Sequence, residues 1–257
     1  MTHSPSLDDA WLNGGPAPDA AAAGLDELLA AGPAPEATAR AQARLRQTLN
    51  AQAARKPHRA KRSARPARAA PAEVWYDRVD RTAIGPVYVA VGPRGLVAVN
   101  MGVAEQAFLD EVRRQVGAVP VRSHARAGAA AKQVGDYVAG RRAAFDVPVD
   151  LSHVSDFQRR VLLAALQIPR GQVRTYAEVA RQIGRPSAAR AVGQALGRNP
   201  VPIVVPCHRV LAADGSLRGY SGGGGLATKA QLLKLEGAKA FVNVPDPASR
   251  GFRDRGR

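Results

Sequence analysis

Cysteine is nearly missing from this chain: among 257 residues only Cys207 carries a thiol. That excludes an intramolecular disulfide and any zinc site built from several cysteines. Histidine does not fill the gap, because His3, His58, His124, His153 and His208 are scattered with no pair at metal-ligand spacing. No metal and no other cofactor is expected. Long apolar runs are missing too, with none approaching the ~20 residues that span a bilayer. Asp8 and Asp9 stand where a secretory signal would place its apolar stretch. The expectation is a cytoplasmic, nucleoid-associated protein without a membrane partner, in a reducing compartment where a lone thiol persists. Acidic residues are scarce, 21 against 37 Lys and Arg, so the formal net charge is +16. A field of that sign suits nucleic acid or an anionic membrane surface. The plainer reading is a solvated, arginine-rich surface, since charge alone does not fix function.

Aromatic and β-branched residues are sparse in residues 1–72, which are dominated by Ala, Pro and Arg and can bury little. Leu25, Leu28 and Leu29, then Leu45 and Leu49, suit one or two short helices divided by Gly32, Pro33 and Pro35. No acidic residue occurs between Glu36 and Glu73, and residues 55–68 form a basic run. The extension holds ten basic and six acidic residues, leaving 27 and 15 for residues 73–257. It reads as a disordered or partly helical basic extension, either a phosphate-binding arm or a solvated linker.

Composition changes at Glu73. Val74-Trp75-Tyr76, Gly85 to Val91 and Leu96 to Val99 read as strands, the last two joined by turn residues Gly92-Pro93-Arg94-Gly95. Helices are expected over Glu105 to Val116 and over Ala127 to Ala139, the second stopped by Gly140. Residues 73–150 thus form a small α/β domain, a β-sheet with helices, whose expected role is packing. Residues 151–240 read as mostly helical. Ser155-Asp156-Phe157-Gln158 and Thr175-Tyr176-Ala177-Glu178 are both capping boxes, each opening a helix. Ser187 is expected to cap a third helix, from Ala188 to about Leu196. Two short helices joined by Gly184-Arg185-Pro186 make a helix-turn-helix pattern. A last helix runs from about Leu226 to Glu236, after a glycine-rich loop, and residues 241–257 form a polar tail.

Chemistry concentrates at Cys207. A thiol with a pKa of about 8.5 is only a few per cent thiolate at neutral pH, so reactivity requires a base or a positive field nearby. His208 and Arg209 follow directly, but neighbours on a strand point opposite ways, so a turn after Pro206 or a bridging water is needed to join them. A lone cysteine after an apolar run is otherwise a buried structural residue.

The segment from Asn199 to Val210, NPVPIVVPCHRV, closely resembles the active-site segment of the O6-alkylguanine-DNA alkyltransferases. Ile168 to Gly171, Thr175-Tyr176, Ala188 to Gly193, Gly219 to Gly223 and Leu233 to Gly237 follow that family's order and approximate spacing, from roughly Asp156 to Gly237. Residues 73–150 resemble its variable N-terminal domain more loosely, and residues 1–72 have no counterpart.

The resemblance implies direct-reversal repair. Cys207 would take an alkyl group from O6-alkylguanine, with O4-alkylthymine as a further candidate, and be consumed. His208 would act as base through a water, with Glu236 orienting it. Asn199 would hold the active-site turn, and Tyr176 would donate to the departing base. Ser221 would bond near O6. Arg190 would fill the space left by a flipped nucleotide, on a helix whose small residues permit entry into the minor groove. Tyr220, Thr175, Ala189, Arg209, Val210 and Arg198 would complete the substrate and DNA contacts, with Arg174 a further phosphate contact. The implied partner is double-stranded DNA and the implied state a monomer. Two features depart from the pattern: Gly222 to Gly225 holds more glycines than the family's loop, and the basic extension is unusual.

Three other readings compete. A non-enzymatic damage sensor related to this family would lack the acceptor cysteine. A helix-turn-helix transcriptional regulator would leave Pro206 to Val210, Glu236 and the glycine loop unexplained. A thiol hydrolase would leave Arg190 and the basic field unexplained.

Overall fold

In the computed structural model, residue 43 and residues 73–220 and 222–238 are described. Apart from residue 43, the expected extension lies outside the described residues, as do the tail and Ser221.

The chain enters through strands β1 (Trp75–Val79), β2 (Val87–Gly92) and β3 (Gly95–Met101), followed by helix α1 (Glu105–Val116), strand β4 (Val121–Arg122) and helix α2 (His124–Val138). The sheet order is β3-β2-β1-β4, antiparallel except for the parallel β1–β4 pair. Alternation along β2 sorts its side chains. Val87 and Val89 enter the main core, whereas Tyr88 and Ala90 join a smaller cluster with Phe108 and Val112 of α1. An irregularity between Ala90 and Val91 shifts the β2–β3 register. Leu96 and Val99, three apart in β3, consequently both reach the main core.

Helix α2 begins at His124, three residues before the expected start, with no side-chain cap from Ser123. Its interior face, Ala127, Ala130, Ala131, Val134 and Val138, is small enough to lie close against the sheet.

The remainder is helical: α3 (Asp156–Leu166), α4 (Tyr176–Gln182), α5 (Ala189–Gly197) and α6 (Leu226–Leu235), with short strands β5 (Arg174–Thr175) and β6 (Val210–Leu211). At α4 the capping box is complete: Thr175 accepts from the Glu178 amide and Glu178 accepts from the Thr175 amide. At α3 only half forms. Ser155 accepts from the Gln158 amide, but the Gln158 side chain donates to the Ala195 and Arg198 carbonyls, at 3.3 and 2.7 Å. The glutamine is used to satisfy the open C-terminal end of α5, where carbonyls lack helical partners. Ser187 does not cap α5: the N-cap is Ala188, without a side-chain bond.

The main cluster draws on both parts of the chain, from Val87 and Met101 of the sheet to Val161, Val192 and Leu232 of the helices. No helix among the described residues is long and apolar enough to cross a membrane.

Candidate active site

Residues 199–210 follow α5 and must turn sharply, because Pro200, Pro202 and Pro206 carry no amide donors. The apolar run Val201 to Val205 is therefore a series of turns. Asn199 replaces the missing backbone bonds. Its Nδ2 donates to the Val205 carbonyl at 2.9 Å and to Cys207 Sγ at 3.2 Å, while its Oδ1 accepts from the Val201 amide at 3.0 Å. Ile203 holds a left-handed φ of 73° although it is β-branched and almost fully buried. Such a residue resists that conformation, so the surrounding contacts hold it there.

Cys207, His208 and Arg209 then form one 3-10 turn. The turn, not a strand, settles how the three side chains are disposed. All three are buried, His208 completely. His208 Nε2 lies 2.6 Å from Glu236 Oε1, and Glu236 is the C-cap residue of α6. The other ring nitrogen, Nδ1, is buried without a partner among the described residues.

A carboxylate at a helix C-terminus opposes the helix dipole, and a buried one needs a countercharge. Arg209 supplies it. Its Nε donates to Glu236 Oε2 at 2.7 Å and its Nη2 to Oε1 at 3.1 Å, while Nη1 donates to the Ile168 carbonyl at 2.5 Å. Tyr137 completes the set by donating to Glu236 Oε1. Burial alone would raise the Glu236 carboxyl, but His208 and Arg209 outweigh it and hold it well below the usual carboxylate range. Burial lowers the His208 imidazole, against the pull of Glu236. The Arg209 guanidinium neutralises the carboxylate, so the buried imidazole need not carry a charge. Neutral His208 then donates Nε2–H to Glu236 and keeps its lone pair on Nδ1.

Burial pushes the Cys207 thiol up, while the Asn199 hydrogen bond and the positive charge of Lys229 pull it down. Lys229 is fully buried, and donates to the carbonyls of Val210 and Arg218 at 2.6 and 3.0 Å. Its Nζ lies 5.9 Å from the centre of the Tyr176 ring. Burial brings its ammonium down to about 8.

The parallel β5–β6 pair sets Arg174 opposite Val210 and Thr175 opposite Leu211, which delivers the start of α4 beside the cysteine turn. Tyr176 is half-buried there and its hydroxyl donates to the Arg218 carbonyl at 2.7 Å. Tyr220 is also half-buried, with a hydroxyl that has no partner among the described residues. Arg190 and Arg198 are exposed on and after α5, and Ala189 is half-buried in its first turn. Thr175 spends its hydroxyl on the capping box.

Arg209 and Val210 are both buried: Arg209 is the countercharge of Glu236, and Val210 packs in the core with its carbonyl accepting from Lys229. Packing is also too narrow a role for residues 73–150, since Tyr137 of α2 reaches Glu236. Tyr137 and Lys229 were not singled out from sequence. Lys229 lies three and four residues before Leu232 and Leu233, a spacing that places it on the buried face of α6. Nothing in the sequence around Tyr137 signals its partner across 99 residues.

No group of three or more His, Cys, Asp or Glu that could hold a metal occurs among the described residues.

A model of the 6-O-methylguanine DNA methyltransferase DNA-binding domain matches residues 156–238. The methylated-DNA–protein-cysteine methyltransferase of Mycobacterium tuberculosis H37Rv is 42% identical over 176 residues, covering 66% of this chain and 97% of that protein. An inducible methyltransferase of the same name from Bacillus subtilis is 39% identical over 161 residues, covering 62% and 88%. Among solved structures, M. tuberculosis O6-methylguanine methyltransferase aligns with a TM-score of 0.53 and 41% identity over 66% of this chain and 96% of that one. The M. tuberculosis protein in complex with DNA aligns equally well, at 0.53 and 40%, over 63% and 92%. With a relative this similar matched along nearly its whole length, the chain belongs to the methylated-DNA–protein-cysteine methyltransferase family.

Proposed function

We propose that Cys207 is the residue on which this chain performs its family's reaction, the direct reversal of alkylation damage in DNA. The observation that carries the reading is that the only thiol directly precedes a buried histidine held by a buried carboxylate.

The chemistry balances without a cofactor. Sγ attacks the alkyl carbon on O6, an S–C bond forms, and the C–O6 bond breaks with its electron pair going to guanine. The thiol proton passes through a water to His208 Nδ1, the nitrogen that bears the lone pair. Glu236 keeps the ring in that tautomer, as in other nucleophile–base–carboxylate sets. The Lys229 ammonium favours the thiolate over the thiol, opposing the effect of burial. Tyr176 exchanges its bond to the Arg218 carbonyl for one to the departing base, where negative charge develops. The thioether does not hydrolyse, and no second cysteine removes the alkyl group. Each molecule therefore acts once.

The substrate atom lies inside the base stack, so the nucleotide must be extruded. We assign DNA binding to α4 and α5 acting as a helix-turn-helix, with α5 entering the minor groove. Ala189, Ala191 and Gly193 allow close approach, and Arg190 fills the vacated space. A protein that searches for damage in any sequence gains nothing from base-specific contacts, which suits the minor groove's degenerate pattern. Ser221 on the glycine loop is assigned to bond near O6, Arg198 and Arg174 to phosphates. The active species is assigned as a monomer, and the domain boundaries as those expected from sequence.

Peptide mass spectrometry after incubation with O6-methylguanine duplex tests the assignment. The expected result is one methyl group on the peptide containing Cys207. An unmodified Cys207 in protein that has repaired the duplex would overturn it.

A further inference from the structure

The edge strand β3 touches the alkyl site at two places. The Val99 amide donates to the Pro200 carbonyl at 2.8 Å, one residue after Asn199, which holds Cys207. Nearer its C-terminal end, β3 meets the glycine-rich loop. A Cβ on Gly223 would lie 2.8 Å from Met101 Cγ and 3.2 Å from the Met101 carbonyl oxygen. A Cβ on Gly102 would lie 3.3 Å from the Gly223 Cα. Gly102 and Gly223 both hold left-handed φ, 63° and 50°. The two backbones thus approach as closely as only glycine allows.

These contacts have a geometric consequence. The turn bearing Cys207 and the loop bearing Tyr220 and Gly222 are not joined by local sequence, yet both rest on residues 99–102. The Gly222 position is also closed by Tyr220, whose ring would lie 2.9 Å from a Cβ there. Within the run of four glycines, Gly222 and Gly223 thus each have close neighbours that a side chain would meet.

We infer that β3 is a positioning strand for the alkyl pocket: Val99 fixes the nucleophile turn, and Met101-Gly102 fixes the facing loop. The first part of the chain thereby helps decide which alkyl groups fit. The inference rests on the proposed role of Cys207 and its pocket.

Single-turnover rates on O6-methylguanine and O6-benzylguanine duplexes test it, in wild type, Gly102→Ala and Met101→Leu. Gly102→Ala adds a methyl group against Gly223; Met101→Leu changes the shape beneath it at nearly constant volume. At least one variant is expected to shift the methyl-to-benzyl rate ratio threefold or more, with DNA affinity unchanged. A merely structural role would slow both reactions together. Ratios unchanged in both folded variants would overturn the inference, while wild type that transfers neither group would instead overturn the reading of Cys207.

Discussion

The Glu236 carboxylate accepts from Arg209 through both its oxygens and from His208 through one, at the end of a helix where a negative charge is otherwise disfavoured. The arginine permits the carboxylate to be buried, and the carboxylate aligns the imidazole. One side chain thus joins the buried guanidinium to the buried imidazole.

Replacing Glu236 by Gln should damage both. It leaves the Arg209 guanidinium without its countercharge, a loss of about 3–5 kcal/mol for a broken buried pair. The expected drop in Tm is on the order of 10 °C. The pH dependence has a definite sign. Glu236 is held below its ordinary value, so its contribution is complete above about pH 4.5 and is lost as pH falls through its folded value. His208 is also lowered, so its protonation in the unfolded chain begins to draw stability away below about pH 6.5. Wild type should therefore weaken steadily from pH 6.5 downward. Thermal melts should show a shallower acid slope in Glu236→Gln; an unchanged slope would sever the link.

Lys229 is the residue whose removal should reveal the electrostatics of the thiol. Lys229→Met keeps most of the side-chain volume but removes the charge. The expected fall in transfer rate at pH 7 is about tenfold or more, corresponding to about 1.4 kcal/mol or more. In wild type the ammonium is half deprotonated near pH 8, so its help to the thiolate fades as pH rises through that value. A rate–pH profile should contain this inflection in wild type and lack it in Lys229→Met. If the profiles superimpose, Lys229 serves only to hold the Val210 and Arg218 carbonyls.

Arg190 is exposed on α5 and makes no contribution to the buried network. Arg190→Ala should slow repair in duplex DNA by about tenfold while leaving the reaction with free O6-benzylguanine base unchanged. The free base requires no extrusion, so the comparison isolates flipping from chemistry. Equal slowing on both would place Arg190 in the chemical step.

The basic run in residues 55–68 offers an independent test of DNA binding. Deleting residues 1–72 should weaken affinity for undamaged duplex and flatten the dependence of log K on log salt, because fewer counterions are released. An unchanged slope would make the run a linker.

Much of the architecture was legible in the chain. The turn residues Gly92 to Gly95 marked the β2–β3 hairpin, and the glycine stops and capping residues placed α3, α4 and α6 to within a residue or two. The failures came where a side chain had two possible partners. Gln158 could complete its own helix cap or serve α5, and only the folded arrangement brings α5 within reach. Arg209 has a partner that no local signal marked: Glu236, 27 residues away in sequence. Tyr137 lay beyond any local signal. Asn199, Cys207 and His208 are carried by a single stretch of chain, and the fold brings Asn199 Nδ2 to Cys207 Sγ.

Counting provides the most direct test of the central claim. Increasing amounts of protein are added to excess duplex containing one O6-methylguanine, and restored guanine is measured at completion. The account predicts one guanine restored per protein molecule, and none with Cys207→Ala. More than one per molecule, or repair that survives loss of Cys207, would contradict it.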